Sequence, residues 1–241
     1  MNQTYVVSDI HGCYDEFIEL LDLIKFDESD LLIVNGDLID RGPKDNFKLV
    51  KFVMKMKNIV YLKGNHEEFL IRMLDGELSQ RDYYRFGGKN TLYEIQNMKN
   101  KDELLFYYNY IKKLPLYYKI NVNSIDYTIT HAGFSLDLEL LSDEYGQFDI
   151  AETIKYQYKK DWFTFFCSAD IHDIKSANFD SHVIVGHIPT FSYFGDNPRI
   201  YKGNLFTDVD CGCTYKNGRL GCLCLNDLKE FYIDDVYCER L

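Results

Sequence analysis

Three times between residues 5 and 74 a short aliphatic run breaks off into a glycine-bearing polar loop and then gives way to a helical spacing of apolar residues. Tyr5–Ser8 leads into DIHG and an amphipathic pattern over Asp15–Lys25. Leu31–Val34 leads into NGDLIDRG and Lys44–Met56, and Ile59–Leu62 leads into KGNHEE and Glu67–Leu74. Such a repeat predicts parallel strands joined by crossover helices, an α/β fold. It also predicts that the three loops share one crevice, because ligands of open α/β sheets bind outside the carboxyl ends of the strands.

The pattern stops at residue 77. Residues 77–116 are rich in Tyr, Asn and Lys and carry a helical stretch, DELLFYYNYIKKL, so they are expected to form a helical cap or insertion beside the crevice. Strands are expected at Tyr117–Val122 and Asp126–Thr130, the second ending at HAG, and at Val183–Val185, ending at GH. Residues 135–180 give no clear assignment. Near the C-terminus, Asn217-Gly218 sits between β-like runs, a signal for a two-residue hairpin. That hairpin would set Cys213 opposite Cys222 and Cys211 opposite Cys224 on one sheet face. A zinc site is then conceivable, but the spacing lacks the usual knuckle and buried, reduced thiols are the expectation.

The chain has 241 residues, 46% hydrophobic and 27% charged, with only 4 prolines and no Ser/Gly-rich run. One domain with insertions is therefore expected over residues 1–241. A net charge of −11 disfavours binding to nucleic acid or an anionic membrane, both of which need a basic surface. An anionic substrate is still allowed, since a bound metal can invert the local field. The N-terminal stretch MNQTYVVSDIHG has no signal-peptide pattern, and no apolar run is long enough to span a bilayer. With an odd number of cysteines, 7, a reducing cytoplasmic setting is expected. No oligomeric state is read from the sequence.

The expected strand ends bring forward Asp9 and His11, Asp37, Asp40 and Arg41, Asn65 and His66, His131, and His187. Four of the 6 histidines fall there, which argues for a shared purpose. A mixed Asp, His and Asn set suits divalent ions such as Mn²⁺, Fe²⁺ or Zn²⁺. Asp9 and His11 stand two apart, and on an extended chain both would point the same way. His172 and His182 lie outside these loops and are expected to be structural. Glu67 and Glu68 are expected as first-turn helix residues favoured by the dipole, not as ligands. The Tyr/Phe clusters at 83–86, 106–110 and 117–118 are expected to be packing, with base stacking as the alternative if they are exposed.

DIHG, GDLIDRG, GNHE, HAG and GH, in this order, resemble the calcineurin-like metallophosphoesterase superfamily. The unbroken GDLIDRG and GNHE are similar to its phosphoprotein phosphatase branch, including small bacterial and phage serine/threonine phosphatases and symmetrical diadenosine tetraphosphate hydrolases. DVDCGCTYKNGRL resembles the C-terminal strand pair of that group. The resemblance implies a four-layer α/β/β/α sandwich with mixed sheets and two divalent ions, Mn²⁺ first, with Fe²⁺, Zn²⁺ or Ni²⁺ as alternatives. It implies that Asp9 and His11 bind one ion, that Asp37 bridges, and that Asn65, His131 and His187 bind the other. His66 would be the general acid held by Asp40, and Arg41, with Asn65 and His66, would meet the phosphate. Hydrolysis would proceed by in-line attack of hydroxide on phosphorus. The substrate expected first is a phosphoserine or phosphothreonine protein; the alternative is a dinucleoside tetraphosphate or related nucleotide. One departure stands out. That branch's protein phosphatases carry a second phosphate-binding arginine after a tryptophan, whereas Trp162 is followed by FTFFCSADIHD. Arg72, Arg81 and Arg85 are the candidates to replace it.

Overall fold

The computed structural model describes residues 2–43 and 46–234. The chain runs β1 (Thr4–Val7), α1 (Tyr14–Leu23), β2 (Leu31–Val34), α2 (Asn46–Val53), β3 (Ile59–Tyr61) and α3 (Asn65–Leu74). Next come α4 (Gln80–Tyr83), a π-helical turn at Tyr84–Gly88, α5 (Lys89–Asn97) and α6 (Lys101–Lys112). The second half holds β4 (Tyr117–Val122), β5 (Ile125–Thr130), α7 (Ile150–Lys160), α8 (Trp162–Cys167), a 3₁₀ turn at Asp170–Asp173 and β6 (His182–Val185). It closes with α9 (Phe191–Phe194), β7 (Tyr201–Lys202), β8 (Phe206–Asp208), β9 (Leu220–Cys224) and β10 (Glu230–Ile233). The first two residues of the expected Lys44–Met56 helix lie outside the described residues.

Two five-stranded mixed sheets result, ordered β10-β9-β1-β2-β3 and β4-β5-β6-β8-β7. In the first, β1, β2 and β3 are parallel and β9 returns antiparallel to β1. In the second, β5, β6 and β8 are parallel. Side-chain alternation along the strands builds the layers. Val6, Ile33 and Ile184 face a core shared by the two sheets. Their neighbours Tyr5, Val7, Leu32 and Val34 pack outward with α1, α2, α3 and α6. Val183 and Val185 pack outward with α7 and α8. Strands buried on both faces read as continuous aliphatic runs, which is why LLIV and HVIV carry no polar alternation. The four-layer α/β/β/α sandwich expected from the sequence is the observed fold.

Residues 77–116 contribute Tyr83, Leu92, Tyr107, Ile111 and Leu114 to the core that carries β1 and β2. They thus extend the helical layer, and the π turn at 84–88 is the part that reaches the site. Residues 135–180, unassigned from sequence, form α7 and α8; the Asp149 side chain caps the first helix and Asp161 the second.

The expected Asn217-Gly218 hairpin is not formed. β8 belongs to the second sheet and β9 to the first, so residues 209–219 cross between sheets. The Asp208 carboxylate accepts the Asp210 N–H at 2.9 Å and the Asp210 carboxylate accepts the Gly212 N–H at 2.8 Å. These side-chain turns bend the chain away from β8, whose two edges are already taken by β6 and β7, so no hairpin partner can pair with it. Cys222 and Cys224 instead pair with Val7 and Tyr5 of β1. Cys211 lies in the intersheet core, while Cys213, Cys222 and Cys224 lie in the outer one. The four therefore do not share a face, and among the described residues no cysteine joins a cluster of metal-ligand atoms. Cys211, Cys222 and Cys224 are buried free thiols, as expected; burial pushes the Cys222 thiol up, so it stays protonated.

Ile184 is fully buried between the sheets. Ile184→Ala is expected to cost about 2–5 kcal/mol, read as a lower urea midpoint with an unchanged slope. An unshifted midpoint would contradict the shared-core assignment.

A candidate dinuclear metal centre at the strand ends

The carboxyl ends of β1, β2, β3, β5 and β6 converge, drawing on both sheets. Backbone bonds lock the first two loops side by side: the His11 N–H donates to Asp37 O at 2.9 Å and the Gly12 N–H to Leu38 O at 2.8 Å. Among the described residues, eleven non-glycine residues have positive φ, and six of them are Asp9, His11, Asp37, Asp40, Arg41 and His187. Asp9 and His11 are therefore not on an extended segment, as their spacing suggested. The strand has ended at Val7, and each side chain is aimed by a left-handed residue instead. Strain of this kind persists only where the surroundings over-determine it.

Two groups of donor atoms lie within 4.8 Å of one another: His11, Asp37 and His66, and Asp37, His131 and His187. Asp37 is common to both. Its Oδ2 stands 3.7 Å from His11 Nε2 and 3.8 Å from His66 Nε2, while its Oδ1 stands 3.4 Å from His131 Nε2. Asp9 Oδ1 joins the first group, 3.9 Å from His11 Nε2. Asn65 Oδ1 joins the second, 2.8 Å from His131 Nε2 and 2.9 Å from His187 Nδ1. All six expected ligands thus sit in one place.

Among the described residues, seven buried side-chain polar atoms have no hydrogen-bond partner, and four of them meet here: Asp9 Oδ1, His11 Nε2, Asp37 Oδ2 and His66 Nε2. An orphaned buried polar atom is costly, by about 1–3 kcal/mol and more for a charged group. Three of these orphans, Asp9 Oδ1, His11 Nε2 and Asp37 Oδ2, stand together at separations too long for hydrogen bonds and fit a cation between them, with His66 Nε2 beside them. The far side of each ring is also fixed, with His11 Nδ1 on Ile39 O and His131 Nδ1 on Asn35 O, both at 2.9 Å. That arrangement turns each Nε2 inward, as metal-ligating histidines require. Burial drives His11 well below the ordinary imidazole range, with the charges of Arg41 and His66 adding to it. Burial, with the charge of His131, pushes His187 down to about 3. Both rings are neutral and keep a lone pair for a metal. Burial would raise Asp37, but the imidazoles of His131 and His66 outweigh it and hold the carboxyl well below its usual range.

Asp40 is fully buried. Its Oδ2 lies 2.8 Å from His66 Nδ1, while Oδ1 accepts from Tyr83 Oη at 2.6 Å and from Thr91 Oγ1. Arg41 donates from its guanidinium to Tyr215 Oη at 3.1 Å. A cleft of about 430 Å³ opens on this layer, lined by Arg41, Asn65, His66 and His187 and walled by Phe69, Phe86 and Tyr215. Arg85, Gly87 and Cys167 complete the lining. His182 bonds Thr207 Oγ1 and His172 bonds Tyr193 Oη, and neither joins a donor group.

Sequence reasoning undervalued Glu67. It is in the first turn of α3 and is no ligand, as expected, but its carboxylate is fully buried. Oε2 accepts the Asp37 and Gly64 N–H groups, both at 2.8 Å. Oε1 accepts the Leu38 N–H at 2.9 Å and Tyr61 Oη at 2.7 Å. The available signal was its place three residues after the N-cap Gly64, the spacing of a capping box. Gly64 is required for closeness, because a Cβ there would collide with Asp37 Oδ1. Glu67→Gln presents an N–H₂ to groups that are themselves donors. It is expected to weaken Mn²⁺ binding roughly 10–100-fold by calorimetric titration. Wild-type affinity in that variant would deny Glu67 a part in placing Asp37.

The calcineurin-like phosphoesterase family model matches residues 3–208. The symmetrical bis(5'-nucleosyl)-tetraphosphatase of Nitrosospira multiformis is 37% identical over 133 residues, 54% of this chain and 42% of that one. Its namesake in Nitrosococcus oceani is 34% identical over 142 residues, 58% of this chain and 47% of that one. The matched part thus spans less than half the length of these curated relatives. Among solved structures, a candidate diadenosine tetraphosphatase superposes with a TM-score of 0.59 at 19% identity, covering 97% of this chain and 93% of that one. A cold-active protein-tyrosine phosphatase from a psychrophilic Shewanella superposes at 0.56 and 18% identity, covering 96% and 80%. Both share the fold. Among the described residues no helix is long and apolar enough to cross a membrane. With the family model matched over most of its length, the chain belongs to the calcineurin-like phosphoesterases, metal-dependent hydrolases of phosphoester bonds.

Proposed function

We propose that the chain, acting as one metallophosphoesterase domain, cleaves dinucleoside tetraphosphates symmetrically to two nucleoside diphosphates. The observation that carries this reading is its 34–37% identity to enzymes of that name over 133–142 residues, more than half of the chain. The exposed ring of Tyr215 at the cleft supports it by offering an aromatic surface to a base. The phosphoserine or phosphothreonine reading preferred from the sequence is the weaker one. Its support among solved structures is a yeast serine/threonine phosphatase at 12% identity, which speaks only to fold.

Asp9, His11 and Asp37 would hold one divalent ion, and Asp37, Asn65, His131 and His187 the other. Bound there, the ions would polarise phosphoryl oxygens and acidify water. Mixed oxygen and imidazole donors suit Mn²⁺, with Fe²⁺, Zn²⁺ or Ni²⁺ as alternatives. Arg41, steadied by Tyr215, presents its guanidinium to the phosphoryl oxygens, where charge grows in the transition state. The N-terminus of α3 begins at Asn65 and adds its positive end. His66 is the general acid. The Asp40 carboxylate holds Nδ1–H, so the proton on Nε2 is aimed into the cleft and passes to the departing diphosphate oxygen. Water oxygen ends on one phosphorus, and the bond from that phosphorus to the bridging oxygen breaks.

His66→Asn is expected to keep two ions per chain and to lose about 10²–10⁴-fold in kcat; a fully active variant would remove His66 from the chemistry. Asp37→Ala is expected to lose both ions by elemental analysis, and two retained ions would rule out a bridging role. Substrate choice is tested by comparing kcat/KM for diadenosine tetraphosphate and a phosphothreonine peptide, with Mn²⁺ supplied. Higher kcat/KM for the nucleotide, with two ADP as product, is the expected result. Faster peptide turnover would return the chain to the protein phosphatases.

A further inference from the structure

Two arginines line the cleft, but only Arg41 comes from the strand-end loops; the other, Arg85, comes from the π turn at 84–88. Arg41 senses the carboxylates of Asp37 and Asp9, which places it against the ligand set. Arg85 forms its ion pair with Asp82 of α4, at 3.8 Å and with 60% of the side chain exposed. An exposed pair of that length contributes little and is readily exchanged for a better anion. The other candidates differ. Arg72 is bound to Glu68 at 2.8 Å and to Glu77, and lies 4.8 Å over the Trp162 ring. Arg81 is not among the residues lining the cleft.

The π turn is built to hold Arg85 where it is. Gly87 has φ +106°, and its carbonyl accepts the Arg41 N–H at 3.0 Å. A Cβ at Gly87 would stand 2.8 Å from Arg41 Cγ and 3.3 Å from His66 Cε1, so the turn presses directly on the loop that carries the chemistry. Upstream, Tyr83 is anchored on Asp40; downstream, Thr91 is anchored on the same carboxylate. Next to Arg85, Phe86 stacks on Phe69 with ring centroids 4.6 Å apart. The helix is broken at Gly87 by a kink that is tied at both ends. The result is an exposed guanidinium on a fixed base, in the cleft that the candidate ligands also line.

We propose that Arg85 grips phosphates beyond the one being cleaved, so that the cleft selects oligophosphates over phosphomonoesters. This rests on the reading of the cleft as the phosphoester site and names the group that reads chain length. An arginine fork takes two oxygens of a phosphate at once, which a lysine cannot do.

The test uses the Mn²⁺-loaded full chain, with free Mn²⁺ buffered so that chelation is constant. Orthophosphate, pyrophosphate and tripolyphosphate are titrated as inhibitors of p-nitrophenyl phosphate hydrolysis by the wild type, Arg85→Met and Arg85→Lys. In the wild type, inhibition is expected to tighten with each added phosphate. In Arg85→Met the preference for tripolyphosphate over orthophosphate should fall about tenfold or more, the scale of a charge-assisted hydrogen bond, and Arg85→Lys should restore part of it. Equal weakening of all three inhibitors, or no change in their ratio, overturns the proposal. The ladder contains no nucleoside and no peptide. It therefore judges Arg85 even if the wild type turns out to prefer a phosphopeptide to diadenosine tetraphosphate.

Discussion

One buried carboxylate, Glu67, ties together the loops that carry the candidate centre. Its two oxygens collect N–H groups from Asp37, Leu38 and Gly64 and the hydroxyl of Tyr61. Without it, three backbone donors beside Asp37 would be buried with no acceptor, and the loops after β2 and β3 would keep only the His66 bonds to Asp37 and Asp40 as direct ties. Burial and the neighbouring Asp37 charge raise the Glu67 pKa. The group is therefore a cost that its four donors must offset, which makes it a poor choice for stability alone. Its value lies in fixing where Asp37 points.

The centre is a place where the fold works against itself. Left-handed backbone at six site residues, and four orphaned polar atoms, are both unfavourable. Three hydrophobic cores in successive layers offset them, and the loops are stapled to each other by backbone bonds. A divalent ion pair would repay much of that cost, so stability and metal content are expected to be linked.

The sequence disclosed strands and loops well because burial on both faces leaves an unmistakable aliphatic run, as in LLIV and HVIV. All the candidate ligands fell at strand ends for the same reason. It was less informative where long-range context decides. Asn217-Gly218 has the local chemistry of a hairpin, but Asp208 and Asp210 redirect the chain to another sheet. Residues 135–180 hide their helices because α8 has only six residues and α7 mixes polar positions such as Gln157 into a buried face. Arg85 could not be ranked against Arg72 and Arg81, since its placement depends on a π turn that has no periodic signature.

The tyrosine and threonine that flank this turn have a further meaning. Tyr83 and Thr91 are the hydroxyl partners of Asp40, the residue beneath His66. The segment that shapes the mouth of the cleft is thus also a structural support of His66, the proposed proton donor. Recognition and chemistry are not separable modules in this chain. If Arg85 and His66 act as proposed, exchanging residues 77–116 for those of a relative would move selectivity and the setting of the acid together, because both rest on the same segment.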